Sequence, residues 1–342
     1  SISIESSSKS SSISMNPLWL LKGSDLNRPE IRKENEYIGK FMLAENAVTS
    51  HDDLFTLERD EIAVQSKHYT FEEWQTFLKY QIMVLTLCYF GYGKELIYYS
   101  SGMKIFPTRL FDHILDNPDK FPTANELVDT YVNMYTTNMF DTEQELYDFI
   151  KKGLEKFKED KESLVRIGKA RGLFGYLVKY ILRDPDKKYI RELADAAIEL
   201  GESEGIDGVK EEINFLFDLS IKMMIDPFKD FVPDIKVQSD YDVFRWAKDG
   251  YKNPLRLYRN DSVQEIELKC RNAVTVSETI RKDKEHNRTD CFHFFRYMNS
   301  GLMRRYIYSP ELDVASSSPW EPFRREHRTI DTAPDTKKTP NS

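Results

Sequence analysis

The chain has 342 residues, of which 40 % are apolar and 31 % charged, and its formal net charge is −8. That balance fits a globular protein with a real core, and the acidic excess argues against a nucleic-acid-binding surface. The three cysteines, Cys88, Cys270 and Cys291, are odd in number and far apart. A disulfide framework is therefore not expected, and a reducing, cytoplasmic setting fits best. No apolar run reaches the roughly 18 residues a spanning helix needs, so no membrane segment is expected. The start lacks the basic and apolar regions of a secretory signal.

In chain order, residues 1–15 form a Ser-rich leader and residues 313–342 a Ser-, Pro- and charge-rich tail, and both are expected to be disordered. Residues 16–68 read as an α/β segment. Pro17 to Leu21 is a continuous apolar run ended by Gly23, the pattern of a buried strand. Asn27 to Asn35 reads as a short helix, with Asn27 as its cap and Pro29 in its first turn. Lys40 to Ala44 and Glu61 to Ser66 are two further strands.

Residues 69–230 read as a helical domain. Thr70 and Glu73 have the spacing of a capping box, ahead of a helix that runs to about Phe90. That helix is apolar nearly all round, which places it in the middle of a core, and Gly91 and Gly93 stop it. Thr123 to Glu126 and Thr142 to Glu145 repeat the box pattern. The Lys and Glu run from Lys151 to Lys161 reads as a solvated helix face. Leu173 to Leu182, Tyr189 to Leu200 and Val209 to Ile225 keep helical apolar spacing. Residues 231–312 form a mixed α/β closing segment, set off by Pro227 and Pro233. There Ile235 to Val237 suggests a strand, Asp240 a helix cap, and Val263 to Arg271 either a strand or a helix. The fold class expected is mainly α, with a small α/β lead-in.

The chain has no Cys-x-x-x-Cys-x-x-Cys loop, no phosphate-binding glycine loop, no His-Glu-x-x-His and no Gly-x-Ser-x-Gly elbow. Cys291 and His293 are two apart and could begin a metal site, with carboxylates, in an unrelated metal-dependent enzyme; they also read as residues packed among Phe292, Phe294 and Phe295. His68 and His113 are possible proton carriers, or a hinge and a core histidine.

Two stretches carry a resemblance. The first is Leu18-Trp19-Leu20-Leu21-Lys22-Gly23-Ser24-Asp25-Leu26-Asn27-Arg28-Pro29-Glu30, followed by Arg32 and Lys40-Phe41-Met42-Leu43. The second is Glu61-Ile62-Ala63-Val64-Gln65-Ser66 followed by Thr70-Phe71-Glu72-Glu73-Trp74. Their order and spacing resemble the late barrel region of cobalamin (B12)-binding radical SAM enzymes, over about residues 16–118. A weaker similarity, carried by Asp242, Trp246 and Pro254-Leu255, covers residues 241–310.

The resemblance implies that this chain is the carboxyl-terminal portion of such an enzyme. It would supply the last strands of a partial (β/α) barrel and a helical cap. The missing amino-terminal domains would bind cobalamin and a 4Fe–4S cluster, and S-adenosylmethionine would supply the radical or methyl chemistry for an unknown small-molecule or peptide substrate. It also implies cofactor-side positions at the Gly23-Ser24-Asp25 turn and at Glu45, near strand ends. The same residues read equally as a plain turn and a helix start. Catalytic residues and metal ligands are assigned to none of the positions. Barrel strands without their neighbours would leave an exposed apolar edge over residues 17–66. The rival reading is a standalone helical interaction or regulatory protein without catalytic activity.

Overall fold

Three extended segments open the fold, and the last of them in the chain, β2, lies between the other two. The computed structural model describes residues 15–51, 54–89, 91–159, 178–225, 232, 234–270, 277–278, 281 and 305–308. Strand β1 (Ile38–His51) pairs antiparallel with β2 (Leu54–Gln65), from Ile38 opposite Gln65 to His51 opposite Leu54. On the other edge of β2, Leu20 N–H donates to the Glu61 carbonyl at 2.8 Å and Ala63 N–H donates to Leu18 at 2.9 Å. On the outer edge of β1, Phe41 and Phe140 exchange two backbone hydrogen bonds of 2.8 Å each.

The strand–helix–strand order over 16–68 is as expected, but the pairing is not that of neighbouring barrel strands. Consecutive strands of a (β/α) barrel run parallel, which requires a crossover of about a dozen residues or more. Only residues 52 and 53 separate β1 from β2, so the two form a hairpin. Helix α1 (Pro29–Asn35) starts on Arg28, with Pro29 at its first position. Asn27 is not its cap; it lies in a 3-10 turn, Asp25–Asn27, that precedes the helix. In the lead-in, Leu21, Leu26 and Ile38 are exposed, while both edges of β2 and Phe41 on the outer edge of β1 have backbone partners.

The helical domain begins where Thr70 predicts. In α2 (Phe71–Val84) the Thr70 hydroxyl accepts from Glu73 N–H at 3.2 Å, and the Glu73 carboxylate accepts from Thr70 N–H at 2.8 Å. Trp74, Leu78 and Ile82 of α2 are buried in the core. The helix widens into a π turn, Leu85–Tyr89, and Gly91 adopts φ +74° beyond it. In that turn the Thr86 hydroxyl shares a buried 2.7 Å hydrogen bond with Tyr189.

Helices α3 (Lys94–Gly102), α4 (Pro107–Leu115), α5 (Pro122–Thr137), α6 (Glu143–Glu159), α7 (Lys188–Ser203) and α8 (Val209–Met223) follow. A second π turn, Val178–Leu182, precedes α7. Helix α7 is central because its buried face includes small residues: Ala194, Ala196, Ala197 and Gly201. A Cβ on Gly201 would sit 2.5 Å from the Val209 side chain, so glycine is what lets α8 approach this closely.

The Thr142 box forms as expected, through Glu145 N–H to the Thr142 hydroxyl and Thr142 N–H to the Glu145 carboxylate, each 3.2 Å. The Thr123 box does not. Pro122 starts α5 two residues earlier than a Thr123 cap would, and puts Thr123 inside the helix. The free amides of Thr123 and Ala124 instead donate to Glu192 of α7, at 2.9 and 2.7 Å, while Glu126 accepts from the Tyr180 hydroxyl at 2.6 Å.

The closing segment is a three-stranded antiparallel sheet in the order β3 (Ile235–Tyr241), β4 (Arg259–Cys270), β5 (Arg305–Tyr308). Val263 to Cys270 is therefore strand. Asp240 lies within β3, and the cap of α9 (Val243–Lys248) is Asp242, which accepts from Arg245 N–H at 2.9 Å. Residues 1–14, the tail, Cys291, His293, Pro227, Pro233 and the first half of the expected Leu173 to Leu182 helix lie outside the described residues.

One carboxylate fastens this segment to the helices. Glu212, in the first turn of α8, is 1 % exposed and accepts from Leu255 N–H and Arg256 N–H at 3.0 Å each and from the Arg256 guanidinium at 3.1 Å. Its neighbour Glu211 is exposed, pairs with the exposed Arg259 and also acts on the Tyr241 hydroxyl. Glu212→Ala is expected to lower unfolding free energy by about 3 kcal/mol, because it strands buried donors. Glu211→Ala is expected to change it much less. Urea titrations of both variants check this; equal losses would show that burial of Glu212 is not what matters.

Candidate functional site

The residues that carry the resemblance meet around one ion pair. Arg32 of α1 donates to Glu61 of β2 through both arms of its guanidinium, Nη1 to Oε2 at 2.9 Å and Nη2 to Oε1 at 2.7 Å. The Glu61 carboxylate, through that hydrogen bond and its charge, raises the Arg32 pKa. Arg32 Nη1 also donates to Asn27 Oδ1 at 2.9 Å, and Asn27 Nδ2 donates to the Leu20 carbonyl at 3.0 Å. The first motif stretch is thus tied to the second through side chains 29 positions apart.

Space for this network comes from Gly39. A Cβ there would lie 2.0 Å from Glu61 Oε1, inside any possible contact distance. The glycine is paired opposite Ala63 in the hairpin, where the carboxylate lies against bare backbone.

The Gly23-Ser24-Asp25 turn stands at one flank of this unit. Gly23 adopts φ +81°, a left-handed conformation that glycine takes without steric cost. Ser24 uses both its N–H and its hydroxyl on the Leu21 carbonyl, at 3.1 and 2.8 Å. Asp25 pairs with Arg28 at 2.6 Å, with both side chains largely exposed. All three residues therefore serve the turn and the helix start, and a ligand would have to compete with these bonds.

Glu45 lies in β1 inside an irregular stretch, where Leu43 faces Arg59 and Val48 faces Leu57. Five steps along β1 there match two along β2. Glu45 belongs to β1, on one edge of β2, while the segment that leads into the Gly23 turn bridges the other edge through Trp19 and Ile62. The structure brings Gly23, Ser24 and Asp25 together and keeps Glu45 across the strand from them.

The other sequence candidates fall elsewhere. His113 of α4 is half-buried; its Nε2 lies 2.9 Å from Glu199 of α7, and its ring meets Phe121 edge-on. Lys120 binds the same carboxylate at 3.0 Å, and Lys120 first, then His113, hold Glu199 below the usual carboxylate range. His113 thus bridges two helices. His68 is exposed in the turn before α2, its N–H on the Ser66 hydroxyl at 3.0 Å.

The cysteines among the described residues are Cys88 and Cys270. Burial pushes the Cys88 thiol up to about 11, with only partial relief from Lys94, and Cys270 is buried in β4. Among the described residues, no group of three or more His, Cys, Asp or Glu side chains is arranged to hold a metal ion. No protein-family model and no curated protein matches the chain.

Sequence reasoning picked out Arg32 and Glu61 as motif members but not as partners, and it did not find Gly39. The signal for Gly39 is faint: one glycine at the head of an apolar strand.

Two measurements test this description. A double-mutant cycle on Arg32→Ala and Glu61→Ala is expected to give a coupling of about 1 kcal/mol after solvent screening, and Gly39→Ala in the parent is expected to destabilise while having little further effect in Glu61→Ala. Additive losses for Gly39→Ala and Glu61→Ala would break the proposed contact. For Cys88, burial favours the neutral thiol, so the folded state loses stability as pH rises above the unfolded thiol value of roughly 8.5. Peptide-resolved alkylation of Cys88 in the native protein is expected to stay slow until pH nears 11; labelling at pH 8 as fast as in denaturant would contradict the burial.

Proposed function

We propose that this chain is the carboxyl-terminal portion of a cobalamin-binding radical SAM enzyme, acting as the closing and docking part of that enzyme. The observation that carries the reading is the Arg32–Glu61 pair. It joins the two stretches on which the resemblance rests, so their co-occurrence has a physical reason. In this reading the cluster, S-adenosylmethionine and cobalamin are bound by upstream domains in a cytoplasmic enzyme. The lead-in provides the junction, with Gly23, Ser24, Asp25 and Glu45 on its flanks. The helical domain and the closing sheet form a cap whose residues touch no cluster. The substrate is a small molecule or a peptide.

A second reading, a helical interaction or regulatory protein without catalysis, is favoured by one observation. The core runs without interruption from Met42 and Ile62 through the helices to Trp246 and Leu268, so the chain closes a core of its own.

The coding sequence upstream of Ser1 separates the two. The enzyme reading expects a Cys-x-x-x-Cys-x-x-Cys loop in the same reading frame. The product of that frame, purified without oxygen and given a low-potential reductant, is then expected to convert S-adenosylmethionine to 5′-deoxyadenosine or S-adenosylhomocysteine. A frame without the loop, or a cluster-loaded product that leaves S-adenosylmethionine intact, would overturn it. The 342-residue chain alone is expected to give no 4Fe–4S absorption band on anaerobic reconstitution.

A further inference from the structure

We draw no further inference here: the strongest candidate, the exposed apolar side chains Leu21, Leu26 and Ile38 of the lead-in, carries nothing because nothing in the structure shows what covers them.

Discussion

Carboxylates withdrawn from solvent, Glu212 fully and Glu192 in part, reach across to the start of another element and hold this fold in register. Helix starts leave unpaired amides, and a carboxylate taken out of water needs donors around it. The two needs are met together. Glu192 of α7 takes the first amides of α5, and Glu212 of α8 takes those of the turn at Leu255. Each contact fixes both the axial position and the rotation of one element against another, which apolar packing alone does loosely. The small face of α7 brings the helices close enough for this. Once Ala194, Ala197 and Gly201 let neighbours approach, Glu192 and Arg191 reach α5 and Asn214 of α8 from a single helix.

The lead-in uses the same device at its edge. Glu61 sits on β2, the central strand, and its carboxylate is steered by Gly39 from one side and held by Arg32 from the other. Because Arg32 also holds Asn27, and Asn27 holds the Leu20 carbonyl, the turn at Gly23 cannot swing without disturbing the strand. A turn anchored this way keeps one shape whether or not anything binds beside it. That explains why Ser24 and Asp25 can spend their polar groups locally.

Much of the architecture was legible in the sequence where the signal is local. The Thr70–Glu73 and Thr142–Glu145 boxes formed because nothing upstream began the helix sooner. Thr123–Glu126 has the same letters and failed because Pro122 fits the first helical position better, leaving Glu192, 69 residues from Thr123, to complete the cap. Asp240 lost to Asp242 for a related reason: β3 continues through Tyr241, and pairing with Arg259 outweighs a cap placed two residues early. Strand pairing was illegible for a different reason. Apolar runs at 18–21, 40–44 and 61–66 announce strands but not direction. The direction follows from the length of the connection, and β1 extends to His51, well past the segment its apolar residues mark.

The candidate site follows the same division. Gly23, Ser24 and Asp25 form one feature because they are consecutive, whereas Glu45 belongs to a neighbouring strand whose extra residues are visible only in the register. Cys88, half-buried in the π turn among apolar helices, resists ionisation because its surroundings disfavour the thiolate. The Arg32–Glu61–Gly39 contact instead fixes the lead-in turn and helix against β2.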